Sequence, residues 1–218
     1  MTLDHPNRPK RLTTIIQNIF YFLLSPTFHL ADYLKLRNDR TTIIKELNTG
    51  YLIVSVISFL SIWIFQYLFE LESLYELLCP IIVGLWSWFL ISRANEIFYA
   101  FLKDAFDKMD SHKGSGLSNL SFPDRIRLSL KSYLELILDF AILFALTKPS
   151  FWKNSIAPTS ITDATYFSGI TITTTGYGDF TPSNWYPQFL AIYEVFCGVI
   201  LLVVCFAIYA SRTQNSKL

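Results

Sequence analysis

The chain has 218 residues, 52% hydrophobic and 16% charged, with a net charge of +1. A mean hydropathy of +0.37 is too apolar for an ordinary soluble domain and fits a membrane protein. The net charge gives no reason to expect a nucleic-acid partner, and Cys79, Cys197 and Cys205 show neither metal spacing nor a disulfide framework.

Residues 1–12 are polar, with Arg8, Lys10 and Arg11, and are expected to be a loose cytosolic tail without a signal peptide. Thr14–Leu24 is apolar, but as a helix it would rise only about 16 Å, against ~30 Å for a hydrocarbon core. It reads either as an interfacial helix or as a helix packed on the bundle, with Pro26 expected to stop it. Residues 31–48 carry Lys35, Arg37, Arg40 and Lys45 and read as a basic connector or short helix. Residues 1–48 together make an N-terminal cytosolic segment.

Residues 49–102 are expected to hold two accessory transmembrane helices. Tyr51–Phe69 contains no charge, with Trp63 and Tyr67 near its outer end. Glu70, Glu72 and Glu76 form an acidic loop. Leu77–Leu102 is the second span, with Arg93 and Glu96 near its cytosolic end. Residues 103–127 form a polar cytosolic linker rich in turn formers. Asp104, Asp107 and Asp110 recur at threes, whereas a calcium loop needs alternate carboxylates and a terminal Glu, so a solvated helix face is expected. Ser121-Phe122-Pro123-Asp124 marks a helix start.

Leu128–Thr147 is the third expected span. Lys131, Glu135 and Asp139 sit four apart and form one stripe, which should face protein rather than lipid. At helical rise, Glu135 lies roughly 18 Å below Thr147 and Arg93 roughly 24 Å below Leu77, about one turn apart. An Arg93–Glu135 contact is therefore expected. The alternative is that Arg93 snorkels to headgroups while Glu135 pairs with Lys131. Lys148–Thr162 is an outer loop, Asp163–Ile172 a short amphipathic helix, and Tyr186–Tyr209 the fourth span.

Lys and Arg are unevenly placed. Seven precede Tyr51 and six lie between 103 and 131, whereas the first outer loop has none and the second only Lys148 and Lys153. Positive charge favours the cytosolic side, which puts both termini and the linker inside and Asp179 outside.

Between the short helix and the last span lies Thr173-Thr174-Thr175-Gly176-Tyr177-Gly178-Asp179. Its Thr-x-Gly-Tyr-Gly-Asp form resembles the selectivity filter of the potassium-channel family. In such a filter successive carbonyl oxygens replace an ion's hydration shell, and glycine permits the backbone angles required. The resemblance covers roughly residues 128–212 as a pore domain, with 213–218 a cytosolic tail.

It implies that the carbonyls of Thr174, Thr175, Gly176 and Tyr177 hold K+ ions, with the Thr174 hydroxyl innermost and Gly178 and Asp179 at the outer mouth. It implies a homotetramer in the lipid bilayer, with 163–172 as a re-entrant pore helix. Tyr166 and Phe167 fall at its aromatic-collar positions. Gly198 falls at its inner-helix hinge, with close helix packing as the alternative role. Thr175 stands where Val or Ile is commoner, and Ile170 where some members place a Glu, so no carboxylate bridge from 170 to Asp179 can form.

The expected fold is thus an all-α membrane protein with four transmembrane helices per subunit. The expected function is passive, potassium-selective conduction across a plasma membrane (the inner membrane in a bacterium). Neither an enzyme nor an organic cofactor is expected: His5, His29 and His112 cluster with nothing. No helix carries Arg or Lys at every third position, so a voltage sensor is not expected. A less selective cation channel and a non-conducting membrane protein are the alternatives. Glu194 lies one turn before Gly198 and should be hydrogen-bonded to Ser168, Thr171 or Thr173, or else titrate and tune the filter.

Overall fold

Prolines and capping side chains decide where the helices of this chain begin. The computed structural model describes residues 25–37, 39–69, 78, 80–109 and 120–205. These form α1 (Pro26–Arg37), α2 (Arg40–Phe69), α3 (Pro80–Met109), α4 (Phe122–Ala145), α5 (Ile161–Ile172) and α6 (Trp185–Val199). Two 3-10 turns, Pro149–Phe151 and Lys153–Ser155, follow α4, and α6 continues into a π-helical turn, Ile200–Cys205.

Pro26 opens α1, because a residue without an N–H is tolerated in the first turn. The expected Thr14–Leu24 helix lies outside the described residues. Of the two readings of 31–48, connector or short helix, the helical one fits: the chain is helical on both sides of residue 38. The second helix starts at Arg40, where Thr42 donates from its N–H (2.9 Å) and its hydroxyl (2.7 Å) to Asp39. Those bonds, the hydroxyl's first, hold the Asp39 carboxyl below its ordinary range. α3 likewise overruns the expected linker boundary and ends at Met109. The start of α4 is as expected: Pro123 lies in the first turn and the Asp124 N–H donates to Ser121 Oγ at 3.3 Å.

Among the described residues, α2, α3 and the Trp185–Leu202 segment are long and apolar enough to cross a membrane. α4 is long enough but does not qualify by composition, because Lys131, Glu135 and Asp139 interrupt it. It is instead the centre of the bundle. Leu136, Phe140, Ala141, Leu143 and Phe144 are all buried, and α2, α3, α5 and α6 pack around them.

The charged stripe of α4 meets polar partners on two other helices. On α2, the buried residues Asn48, Ser55, Ile62 and Gln66 share one face. Asn48 Nδ2 donates to Ser132 Oγ (2.6 Å), Lys131 Nζ to Thr49 Oγ1 (2.8 Å) and Ser55 Oγ to Asp139 Oδ1 (2.7 Å). On α3, Arg93 donates to both Glu135 oxygens, from Nε at 2.6 Å and Nη2 at 3.1 Å. Its Nη1 lies 3.0 Å from Glu96, and the guanidinium sits over the Tyr51 ring, 4.1 Å from its centre. Arg93 is only 5% exposed, so it does not snorkel, and Lys131 is engaged elsewhere.

Asp104 pairs with Arg125, tying the far end of α3 to the start of α4. Lys45 pairs with Asp124 at 3.0 Å, an exposed contact that solvent screens.

Removing one partner of a buried pair leaves an uncompensated charge, so Arg93→Ala or Glu135→Ala should each cost about 3–5 kcal/mol. The double substitution should cost less than the two singles combined. Unfolding of the four proteins in detergent measures the coupling, and strictly additive losses would show none.

Candidate ion-conduction site

The filter-like segment hangs from the C-terminal end of α5, so what positions α5 positions the segment. Ser160 caps the helix, its hydroxyl accepting the Asp163 N–H at 3.0 Å. The next free donor, the Ile161 N–H, reaches across to α2 and donates to Gln66 Oε1 (2.8 Å), while Gln66 Nε2 donates to the Thr159 carbonyl (3.1 Å). One buried amide of an accessory helix therefore clamps the first turn of α5.

At the other end the chain folds back on the helix. The N–H groups of Thr175 and Gly176 both donate to the Ile170 carbonyl, at 2.8 and 3.1 Å, and that of Thr174 to Thr171 at 2.9 Å. Carbonyls left unpaired at a helix C-terminus are thereby used. Beyond that point φ is +60° at Thr174, +53° at Gly176 and +83° at Gly178. Thr175 and Tyr177, between them, are not in the positive region. Alternating left- and right-handed residues bring main-chain groups of one kind to one side, whereas in a regular strand the residues alternate between faces. Thr174 holds a left-handed angle with a Cβ present, at a cost of roughly 1–2 kcal/mol. Residues 173–179 are all exposed in the single chain, and Tyr177 is 73% exposed.

The two expected collar residues behave differently. Phe167 is buried, edge-on to Phe144 (4.8 Å between centroids) and Trp152 (5.1 Å). Tyr166 stays partly exposed, its ring 6.4 Å from Phe180 and its hydroxyl facing the Asp179 carboxylate. Position 170 cannot bridge to Asp179, and Tyr166 takes that direction instead.

The segment leaving the filter is tied down by the loop after α4. The Lys153 N–H donates to the Thr181 carbonyl (2.9 Å), and those of Ser183 and Asn184 donate to the Phe151 carbonyl (2.8 and 3.0 Å). Trp152 is buried beside Phe144 and Phe167, and its indole N–H donates to Thr147 Oγ1 at 2.8 Å. Trp152 and Gln66 are the two positioning residues that the sequence reading did not single out.

On α6, Glu194 is fully buried and accepts from Ser168 Oγ, whose hydroxyl also lies 2.9 Å from the Ile137 carbonyl. Of the three expected hydroxyl partners, Ser168 is the one engaged. Thr173 Oγ1 instead donates to the Gly169 carbonyl at 2.7 Å. Gly198 packs on the end of α5: a Cβ there would stand 2.7 Å from Ile172 Cγ1 and 3.1 Å from the Ile172 carbonyl oxygen. Arg93 and Glu135 meet each other, away from the filter.

The site thus consists of a short helix packed in an apolar bundle, an exposed loop with left-handed angles at alternate residues, and an apolar helix after it. Residues 132–215 match the family model described as "Ion channel". A 54-residue stretch is 43% identical to "Probable potassium channel protein 2" of Methanocaldococcus jannaschii, covering 25% of this chain and 16% of that protein's length. No solved structure matches the chain. Both matches fall short of the whole chain, and they support a potassium-channel-like region in its C-terminal part.

Two substitutions test the packing. Gly198→Ala overfills the contact with Ile172 and should destabilise by about 1–3 kcal/mol. Gly84→Ala on α3, where nothing lies within 4 Å of the added Cβ, should be neutral or stabilising by up to about 1 kcal/mol. Thermal unfolding in detergent compares them. Gln66→Leu leaves the Ile161 N–H without its acceptor and should cost about 1–3 kcal/mol, with faster amide exchange at the first turn of α5.

Proposed function

We propose that four copies of this chain form a potassium-selective channel that conducts K+ passively, with no enzymatic step. The observation that carries this reading is the run of left-handed angles at every second residue, Thr174, Gly176 and Gly178, in a segment pinned to α5 yet exposed along its whole length. Such a backbone can offer consecutive oxygens to a dehydrated cation. In this reading the carbonyls of Thr174, Thr175, Gly176 and Tyr177 hold K+, the Thr174 hydroxyl adds an inner oxygen, and Gly178 and Asp179 shape the outer mouth.

One chain supplies one side of each ion's shell. An open apolar face on α6, with Phe189, Ile192, Phe196 and Val199 exposed at helical spacing, supports further copies around the axis. Tyr166 and Tyr177 would then pack in the collar between subunits. The C-terminal end of α5 places its partial negative charge toward a cation beneath the filter.

The domain arrangement follows. Residues 128–212 form the pore, with α4 as a fourth crossing shielded from lipid by its neighbours. Residues 49–102 provide two accessory crossings. The basic segments before residue 49 and at 103–127 face the cytosol with both termini, across the plasma membrane or a bacterial inner membrane. α2 and α3 carry no ladder of cations, so opening is not driven by a voltage sensor of that kind. In this reading the π-turn after Gly198 is where the inner helix would bend on opening.

Flux through purified protein in liposomes tests the reading. K+ should permeate well ahead of Na+, and equal permeability would overturn it. In this chain an alanine Cβ at 176 meets no atom within 4 Å, so the cost of the substitution is conformational. The φ of +53° is strained for alanine by roughly 1–2 kcal/mol. Gly176→Ala should therefore still assemble but lose discrimination between K+ and Na+.

A further inference from the structure

α2, α3 and α4 enclose a second polar feature, apart from the filter. It is a cavity of about 90 Å³, walled by Tyr51, Ser55 and Ser58 of α2, Arg93 of α3, and Glu135 and Asp139 of α4. A water molecule takes up about 30 Å³ in the liquid, so the space suits a few small polar occupants. The charges on its walls do not balance. Arg93 gives Nε and Nη2 to Glu135 and turns Nη1 toward Glu96. Two carboxylates already share one guanidinium.

Asp139 is the third carboxylate and is 1% exposed. Its Oδ1 accepts the Ser55 hydroxyl, but its Oδ2 has no hydrogen-bond partner among the described residues. Among the described residues no other cation attends it. Lys131 lies about two turns along α4 and donates to Thr49. α2 presents only the hydroxyls of Tyr51, Ser55 and Ser58 to the cavity. Glu194, on α6, lies outside this cavity: its Oε1 accepts from Ser168 and its Oε2 has no partner among the described residues, so it would give a separate carboxyl signal.

A buried carboxylate without a cation of its own is costly, and such groups are neutralised by taking up a proton. A metal cation would need about six oxygen ligands. The cavity offers one unshared carboxylate oxygen, and a guanidinium on the same wall repels a second cation. We propose that this cavity is a proton-binding site within the helix bundle, with the Asp139 carboxyl as the acceptor.

In the binding step a hydronium ion gives its proton to Oδ2 and leaves as water, while Arg93 and Glu135 stay ionised. Oδ1 still accepts from Ser55, and the new O–H donates into the cavity. Loss of that proton would set three carboxylates against one guanidinium. It would do so on the α2–α4 seam, whose α2 side also carries the Gln66 clamp on the pore helix. A consequence for conduction rests on the pore reading; the site itself does not.

Infrared spectra of the purified protein in detergent across a pH series test the site without any flux measurement. The expected result is a carboxylic-acid C=O band at neutral pH that is lost in Asp139→Asn and kept in Glu194→Gln. Ser55→Ala removes the hydrogen bond to Oδ1 and should shift the same band, a readout that stands even if Asp139→Asn fails to fold. Absence at neutral pH of any band that responds to either substitution would overturn the proposal. So would a thermal stabilisation by NaCl over choline chloride that disappears in Asp139→Asn, since that marks a bound cation. Flux that fails to discriminate K+ from Na+ overturns the pore reading alone and leaves the infrared result standing.

Discussion

The structure depends on the need to pair the charges of α4 inside an apolar bundle. Lys131, Glu135 and Asp139 cannot be left facing hydrocarbon, and their partners have to come from other helices. Asn48, Thr49 and Ser55 supply them from α2, and Arg93 from α3. Apolar contacts between membrane helices discriminate poorly, because lipid tails are as apolar as leucine. A guanidinium that must meet one carboxylate, and a serine that must meet another, allow one rotation and one depth. The pairs need not add net stability over an apolar core. Their effect is to fix how the accessory helices lie against the pore.

That register is handed on to the filter. α4 supports α5 through the Ile137 carbonyl and Ser168, and α2 holds the opposite end of α5 through Gln66. The filter is bound to Ile170 on one side and to the Phe151–Lys153 loop on the other. Each of these supports comes from the same chain. The face left without support is the exposed one, residues 173–179. Strain at Thr174 is tolerable only because neighbouring hydrogen bonds over-determine the backbone there.

Much of this was legible in the residues, for local reasons. The Ser121 helix start and the stripe on α4 each depend on spacing within a few positions. The Arg93–Glu135 contact was legible because few charges occur deep in the apolar segments and their depths could be compared. Helix ends were less legible. A helix does not stop where the hydrocarbon stops, so α2 begins at Arg40 and α3 runs past Lys103 and Asp104 into solvated turns. That Pro26 opens α1 was not legible, because proline both ends a helix and opens one. Ser25 and Thr27 hydrogen-bond to Ser92 on α3, a contact no local pattern announces. Gln66 and Trp152 were passed over for a similar reason: an uncharged amide in a span and a tryptophan in a loop acquire a role only from what the fold brings beside them.

Hinge and packing, the two roles open to Gly198, are separated along α6 rather than in competition. Glu194 is held to Ser168, and Gly198, one turn later on the same face, lies against Ile172 too closely for a Cβ. Both contacts pin the first part of α6 to the pore helix and so keep it in register with the filter. The π-turn begins at Ile200, directly past the second contact. A π-turn gives up the regular i to i−4 bonding of an α-helix and recurs at functional sites. The helix is therefore rigidly attached up to Gly198 and irregular immediately after it. A bend at 200–205 would leave the contact with Ile172 intact, whereas a bend at Gly198 itself would have to break it.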